Sequence, residues 1–312
     1  MSFYREHAAL TRAGETIVAE TLERFAGEGL RPERFAMTLL VHPEPPTRAK
    51  PKEPPIGYGH QGQLPFYPCS VVKLFYLVAA QARLAEGAIG FDEALDRAMR
   101  DMMLYSSNMA TNYVIDLVTG TTGDTLLEGE ALVEWRERRQ WVNRYFAGFG
   151  WPELEPINVM QKLMDDVRYG RERQLLAADG SNHNRLTTDA TARLIHELLL
   201  GRVVSPDRSA SVLDYLRRPL DADWVAAEPL AQVRGFFGEA MPKGTKLWAK
   251  SGWSQWLRDP VSSWGRHDAC YAEPPDGPAF TLVAFTHGKE ISQSAGCLPF
   301  IARSVLTAVA RL

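Results

Sequence analysis

The strongest constraint on the fold is where the chain changes its hydrophobic period. After an amphipathic first helix in MSFYREHAALTRAGETIVAETLERF, the run RFAMTLLVHP is strand-like. From Ser70 to about Gly201 the pattern is helical: Val71 to Glu86, Phe91 to Met103, Asn108 to Val118, Ala131 to Phe149 and Thr188 to Leu200. Strand candidates then return at Thr245 to Trp253, Arg266 to Ala272 and Ala279 to His287. The last two are joined by the turn sequence EPPDGP, and a helix over Leu298 to Leu312 closes the chain. Strands at both ends with helices between them bury their apolar faces if one sheet is built from both termini and the helices are inserted. The expected class is α+β, an α/β/α sandwich with an antiparallel sheet and an inserted all-helical subdomain. Residues 1–65 with 205–312 form the sheet part and residues 66–204 the helical part. The proline-rich PEPPTRAKPKEPPIGYGHQG reads as an exposed loop. The crevice between the two parts is the natural place for a site.

Composition excludes several classes of function. The net charge of −3 over 312 residues gives no pull toward nucleic acid or anionic membrane. The longest apolar runs, such as Leu74 to Ala80, are too short to span a bilayer. EWRERRQW reads as a solvated helix face rather than an RNA contact. Arg5, Glu6, Arg12 and Glu15 stand where a secretory signal needs an uninterrupted apolar core, so a cytoplasmic protein is expected, or an exported one only if a signal has been removed. Three cysteines, Cys69, Cys270 and Cys297, have no metal-type spacing; neither a disulfide framework, a metal nor a cofactor is expected. Oligomeric state is not legible.

Three short stretches carry chemistry. In FYPCSVVKLFYLVAA, Ser70 and Lys73 stand one helical turn apart at the start of a helix apolar on nearly every face. Burial there would desolvate the amine and favour its neutral, basic form. LYSSNMATNYVID places Ser106, Ser107 and Asn108 in a turn before another helix, and LWAKSGWSQW places Lys250, Ser251 and Gly252 at a strand end. Read singly, each is ordinary: a helix cap, a second cap, a strand ending in a glycine bulge. Their ordered combination is far rarer than any member.

That combination resembles the three signatures of the class A β-lactamase and penicillin-binding-protein superfamily, S-x-x-K, S-x-N and K-[ST]-G. YSSNMATN, RLTTDATARLIHELL and AFTLVAFTHG extend the resemblance, which runs from about Phe66 to the C-terminus. It implies a β-lactamase/transpeptidase-like fold and a serine hydrolase acting on a small-molecule amide. Ser70 would be the nucleophile, Lys73 its base, and Ser106 the proton relay to the leaving nitrogen. The backbone N–H groups of Ser70 and Trp253 would form the oxyanion hole, and Asn108 would hold a substrate amide carbonyl. Lys250 and Ser251, with Arg266, would bind a substrate carboxylate.

Two departures stand out. The family's E-x-x-L-N motif has its nearest counterpart in Glu172-Arg173-Gln174-Leu175-Leu176, which makes Glu172 the candidate deacylating base but replaces the asparagine by Leu176. The stretch TGTTGDTLLEGEALVEWRERRQW has no family equivalent and reads as a lid, a dimer surface or decoration. β-Lactam hydrolysis is therefore the leading expectation. A cytoplasmic amidase, esterase or D,D-peptidase relative is the second. A penicillin-binding sensor that is acylated without turnover is the third.

Overall fold

A computed structural model describes residues 3–49, 51 and 53–312. Seven strands form one sheet: β1 (Arg5–Glu6), β2 (Phe35–His42), β3 (Ile56–His60), β4 (Arg217–Arg218), β5 (Lys246–Trp253), β6 (Gly265–Glu273) and β7 (Ala279–His287). Their order is β1-β3-β2-β7-β6-β5-β4. Both chain ends contribute, and every neighbouring pair is antiparallel except the short β1–β3 contact.

The helices are α1 (Ala8–Arg24), α2 (Lys73–Ala85), α3 (Glu93–Leu104), α4 (Asn108–Thr119), α5 (Gly129–Arg139), α6 (Trp141–Ala147), α7 (Gly170–Leu175), α8 (Thr188–Leu199), α9 (Pro206–Leu216), α10 (Asp223–Ala227), α11 (Lys289–Ser292) and α12 (Cys297–Val309). Alternation along the strands divides the core between two faces. Phe35, Met37, Leu39 and Val41 of β2, with Phe280, Leu282 and Ala284 of β7, pack under α1 and α12. Ala36, Leu40, Val283 and Phe285 face the helical layer instead. Covered on both sides, β2 and β7 are buried almost throughout, which is why they read as continuous apolar runs.

Three elements differ from the sequence expectation. β3 lies inside the segment read as an exposed loop; its Gly57 and Gly59 give it poor strand propensity. A Cβ at Gly57 would sit 2.4 Å from the Tyr4 ring, so the small residue is what lets that ring cover the strand. The single helix expected over 131–149 is two. α5 turns toward α7, where Arg136 donates to the Gln174 carbonyl and Gln174 bonds the Leu127 backbone, while α6 packs on α2. α9, capped by Ser205, lies against α2, α3 and α8, so the helical layer runs on to Leu216. Among the described residues no helix is long and apolar enough to cross a membrane.

Candidate active site

Ser70 lies in the 3-10 turn Cys69–Val72 that leads directly into α2. The turn is held from below. His267 Nε2 contacts the Tyr67 carbonyl at 2.9 Å while its Nδ1 accepts the Thr286 N–H at 3.3 Å. Burial lowers the His267 pKa to about 3, so this ring is a neutral strut. β5 runs alongside the turn. A Cβ at Gly252 would come within 2.8 Å of the Ser70 nitrogen and 2.9 Å of the Pro68 carbonyl, so only glycine permits the approach. Ser254 N–H bonds the Gly265 carbonyl of β6 at 3.0 Å, and the alternation of the ladder therefore turns the Trp253 N–H away from β6.

Three cationic and hydroxyl groups converge beside it. Lys73 and Lys250 are both fully buried. Ser106, with backbone φ of 57°, presents its hydroxyl between them: Oγ lies 3.2 Å from the Lys73 amine and 3.0 Å from the Lys250 amine. Lys73 also donates to the Ser106 carbonyl and, at 2.8 Å, to Asn108 Oδ1. Burial lowers the Lys73 pKa to about 7, opposed by the negative charge of Asp165. Burial, then repulsion from Lys73, also pushes the Lys250 pKa well below its ordinary value.

Lys250 is held by Ser251 and by Gln232, which belongs to none of the three motifs. Its amine donates to Gln232 Oε1 at 2.9 Å and to the Ser251 carbonyl at 2.6 Å. Ser251 Oγ donates to Asp268 Oδ1 at 2.7 Å, and Asp268 Oδ2 takes the Phe237 N–H at 2.7 Å. Burial raises the Asp268 pKa. The register offered a signal, since Ser251 and Asp268 are directly paired across β5 and β6. Arg218, on β4, is buried and held by the carbonyls of Met103 and Leu104, just before Ser106.

The cleft has a volume of about 310 Å³ and is lined by Tyr67, Cys69, Ser70, Asn108, Leu163–Asp165 and Trp253–Gln255 with Leu257. Asn108 Nδ2 donates to Asp165 Oδ1 at 2.6 Å, and Asn112 exchanges two 2.9 Å bonds with the Leu163 backbone. The helix start that carries Asn108 thus fixes the loop that carries Asp165.

Two expected site residues are placed elsewhere. Glu172 is completely buried, its carboxylate 2.7 Å from the equally buried Arg139 guanidinium, and it does not line the cleft. The physical cause is Arg139: one buried cation needs one buried anion, and Asp116, the other carboxylate near it, is 3.6 Å away and shared with Lys162. Arg266 spends its donors on the Gly235 and Ser292 carbonyls and stacks its guanidinium 4.5 Å from the Phe236 ring. It braces the loop before β5 rather than facing the cleft. The insertion is likewise a brace, since it supplies Arg139 to Glu172 beneath the Asp165 loop. Among the described residues no cluster of His, Cys, Asp and Glu is placed to hold a metal ion.

Residues 94–306 match the model of the β-lactamase enzyme family, and the chain belongs to that family. At family level it is a β-lactamase-like serine hydrolase. No curated protein sequence matches it. Among solved structures it is similar to a β-lactamase from Sphaerobacter thermophilus, at 18% identity over 95% of this chain and 97% of that one, with TM-score 0.62. It is similar to a β-lactamase from Xanthomonas campestris pv. campestris at 16% identity over 95% and 98%, TM-score 0.61. The structure of PBP-A matches at 16% identity over the full length of both chains, TM-score 0.63. At these identities the likeness is one of fold.

Proposed function

We propose that the protein hydrolyses a β-lactam or a closely related amide through an acyl-enzyme on Ser70. The observation that carries this reading is the Ser106 hydroxyl held between two buried lysines, one with its pKa brought to about 7. A lowered pKa makes the neutral amine accessible near neutral pH. Deprotonated, it keeps two N–H groups for the Ser106 carbonyl and Asn108, and its lone pair can take the Ser70 proton. Attack of Ser70 Oγ on the carbonyl carbon places the developing oxyanion against the Ser70 and Trp253 N–H groups, each worth roughly 3 kcal/mol in such sites. Breakage of the C–N bond requires a proton on the leaving nitrogen, which Ser106 delivers, replenished from either lysine.

For the second half, Asp165 replaces Glu172 as the proposed base. It lines the cleft beside Ser70 and is oriented by Asn108, so a water between Asp165 and the acyl carbon would be activated by that carboxylate. A usable base in the cleft favours turnover over a permanently acylated sensor. The test is hydrolysis of a chromogenic cephalosporin by wild type and Ser70→Ala: the variant should keep its fold and fall to background, and retained hydrolysis would overturn the assignment.

A further inference from the structure

Lys250 and Ser251, the groups that could receive an anion beside Ser106, are already engaged by the chain itself. The Lys250 amine has at most three donors and meets three acceptors: Gln232 Oε1 at 2.9 Å, Ser106 Oγ at 3.0 Å and the Ser251 carbonyl at 2.6 Å. The Ser251 hydroxyl has one proton, which goes to Asp268 Oδ1 at 2.7 Å; the Gln232 carbonyl, at 3.4 Å, is the more distant acceptor. Asp268 also takes the N–H groups of Phe237 at 2.7 Å and Ala269 at 2.9 Å. Arg266 and Arg218 donate to backbone carbonyls, the first to Gly235 and Ser292, the second to Met103 and Leu104.

A carboxamide fills the place. Gln232 follows the 3-10 turn Pro229–Ala231 with φ of 55°, a left-handed backbone that residues other than glycine adopt uncommonly. That conformation turns its side-chain oxygen to Lys250 and its backbone oxygen toward Ser251. The pairing of β5 with β6 sets the buried acid Asp268 against Ser251. Among the described residues that line the cleft, the charged side chain is again an acid, Asp165. Lys73 and Lys250 offset little of this, because burial lowers the pKa of both and repulsion from Lys73 lowers that of Lys250 further. A leaving nitrogen that takes its proton from Ser106 Oγ stands within about 6 Å of the Lys250 amine. A carboxylate next to that nitrogen would therefore give up its water for donors already spent, with Asp268 close behind them.

We infer that the site selects uncharged substrates: Gln232 and Asp268 occupy the donors beside Ser106, and the enzyme disfavours acyl substrates that carry a carboxylate next to the leaving nitrogen. Lys250, Ser251 and Arg266 thus do not form the carboxylate receptor expected of them. Gln232 and Asp268 set specificity through Lys250 and Ser251. The inference rests on the acyl-enzyme reading.

The test compares one penicillin in two forms, the free acid and its uncharged methyl ester. Acylation rates are measured by intact mass on wild type, Gln232→Ala, Asp268→Asn and, as a control, Ser70→Ala. Each rate is divided by the rate at which hydroxide opens the same β-lactam, which removes the difference in intrinsic reactivity. Wild type should favour the ester at least about tenfold, the acid still reacting measurably. Because the readout is a ratio within each protein, a variant that is slower overall remains informative. The ratio should fall at least about threefold in the folded variants; Gln232, half-buried in a loop, supplies one if Asp268→Asn does not fold. An acid that reacts as fast as the ester in wild type, or a ratio unchanged in every folded variant, would overturn the inference alone. If neither form acylates wild type beyond Ser70→Ala, the acyl-enzyme reading fails and the inference fails with it.

Discussion

Asn108 Nδ2 donates to Asp165 Oδ1 at 2.6 Å, across 57 residues of sequence, and ties the start of α4 to the loop that carries the proposed deacylating base. Asp165→Asn keeps the shape of the pair and removes the charge. The variant should acylate but deacylate at least about 100-fold more slowly, a loss typical of a missing general base. Stopped mixing with a penicillin and intact-mass detection would show the adduct accumulating; unimpaired turnover would remove Asp165 from the mechanism.

Glu172 should behave in the opposite way. Glu172→Ala leaves the fully buried Arg139 without its partner, a change that typically costs about 3–5 kcal/mol. Chemical denaturation should register that loss, whereas Asp165→Asn should unfold within about 1 kcal/mol of wild type. Any folded fraction of Glu172→Ala should still acylate Ser70.

This contrast also marks what was legible in the sequence. Lys73, Ser106, Asn108 and Lys250, which the structure brings together, and Ser70 of the cleft lining each belong to a local pattern at a helix start or strand end, where spacing fixes direction. β7 matched its expected span, Ala279 to His287, because burial on both faces writes a continuous apolar run. Asp165 lies between Asn158 and Gly170, which has neither helical nor strand period, and its partner is distant in sequence. Glu172 sits at plausible spacing from Thr187, but spacing could not reveal that Arg139 of the insertion claims it. Gln232 reaches Lys250 from an irregular loop and left no pattern at all.

The lowered Lys73 pKa gives acylation a definite pH dependence. The amine must be neutral to accept the Ser70 proton, so the acylation rate should fall about tenfold per unit as pH drops below about 7. In Asp165→Asn the carboxylate charge that raises the Lys73 pKa is gone, and the acidic limb should move to lower pH. An unmoved limb would dissociate it from Lys73.

Stability should show the same group with the sign of a buried lysine. Unfolded, Lys73 holds its proton up to about 10.5; folded, it releases it at about 7. Between those values the unfolded chain binds more protons, so the Lys73 contribution favours folding more as pH rises from 7 toward 10.5, and the burial penalty is full below 7. Lys73→Met should therefore raise the denaturation midpoint most at pH 6–7, with the gain shrinking as pH rises from 7 toward 10.5, while abolishing acylation. A midpoint that falls at pH 6 would contradict the burial argument.

Gly252→Ala tests the approach of β5 to the nucleophile. Its Cβ, 2.8 Å from the Ser70 nitrogen, would push the strand and the turn apart and misplace one oxyanion donor, for an expected loss of about 100-fold in acylation rate. A rate within threefold of wild type would show that the close contact is not needed.

The most direct test of the central claim is time-resolved intact-mass measurement after mixing wild-type protein with a penicillin, followed by peptide mapping. Acylation of Ser70 should give a transient adduct of one acyl group on the peptide containing Ser70, absent in Ser70→Ala. Drug consumption with no adduct under rapid quenching, or an adduct that maps to another residue, would contradict it.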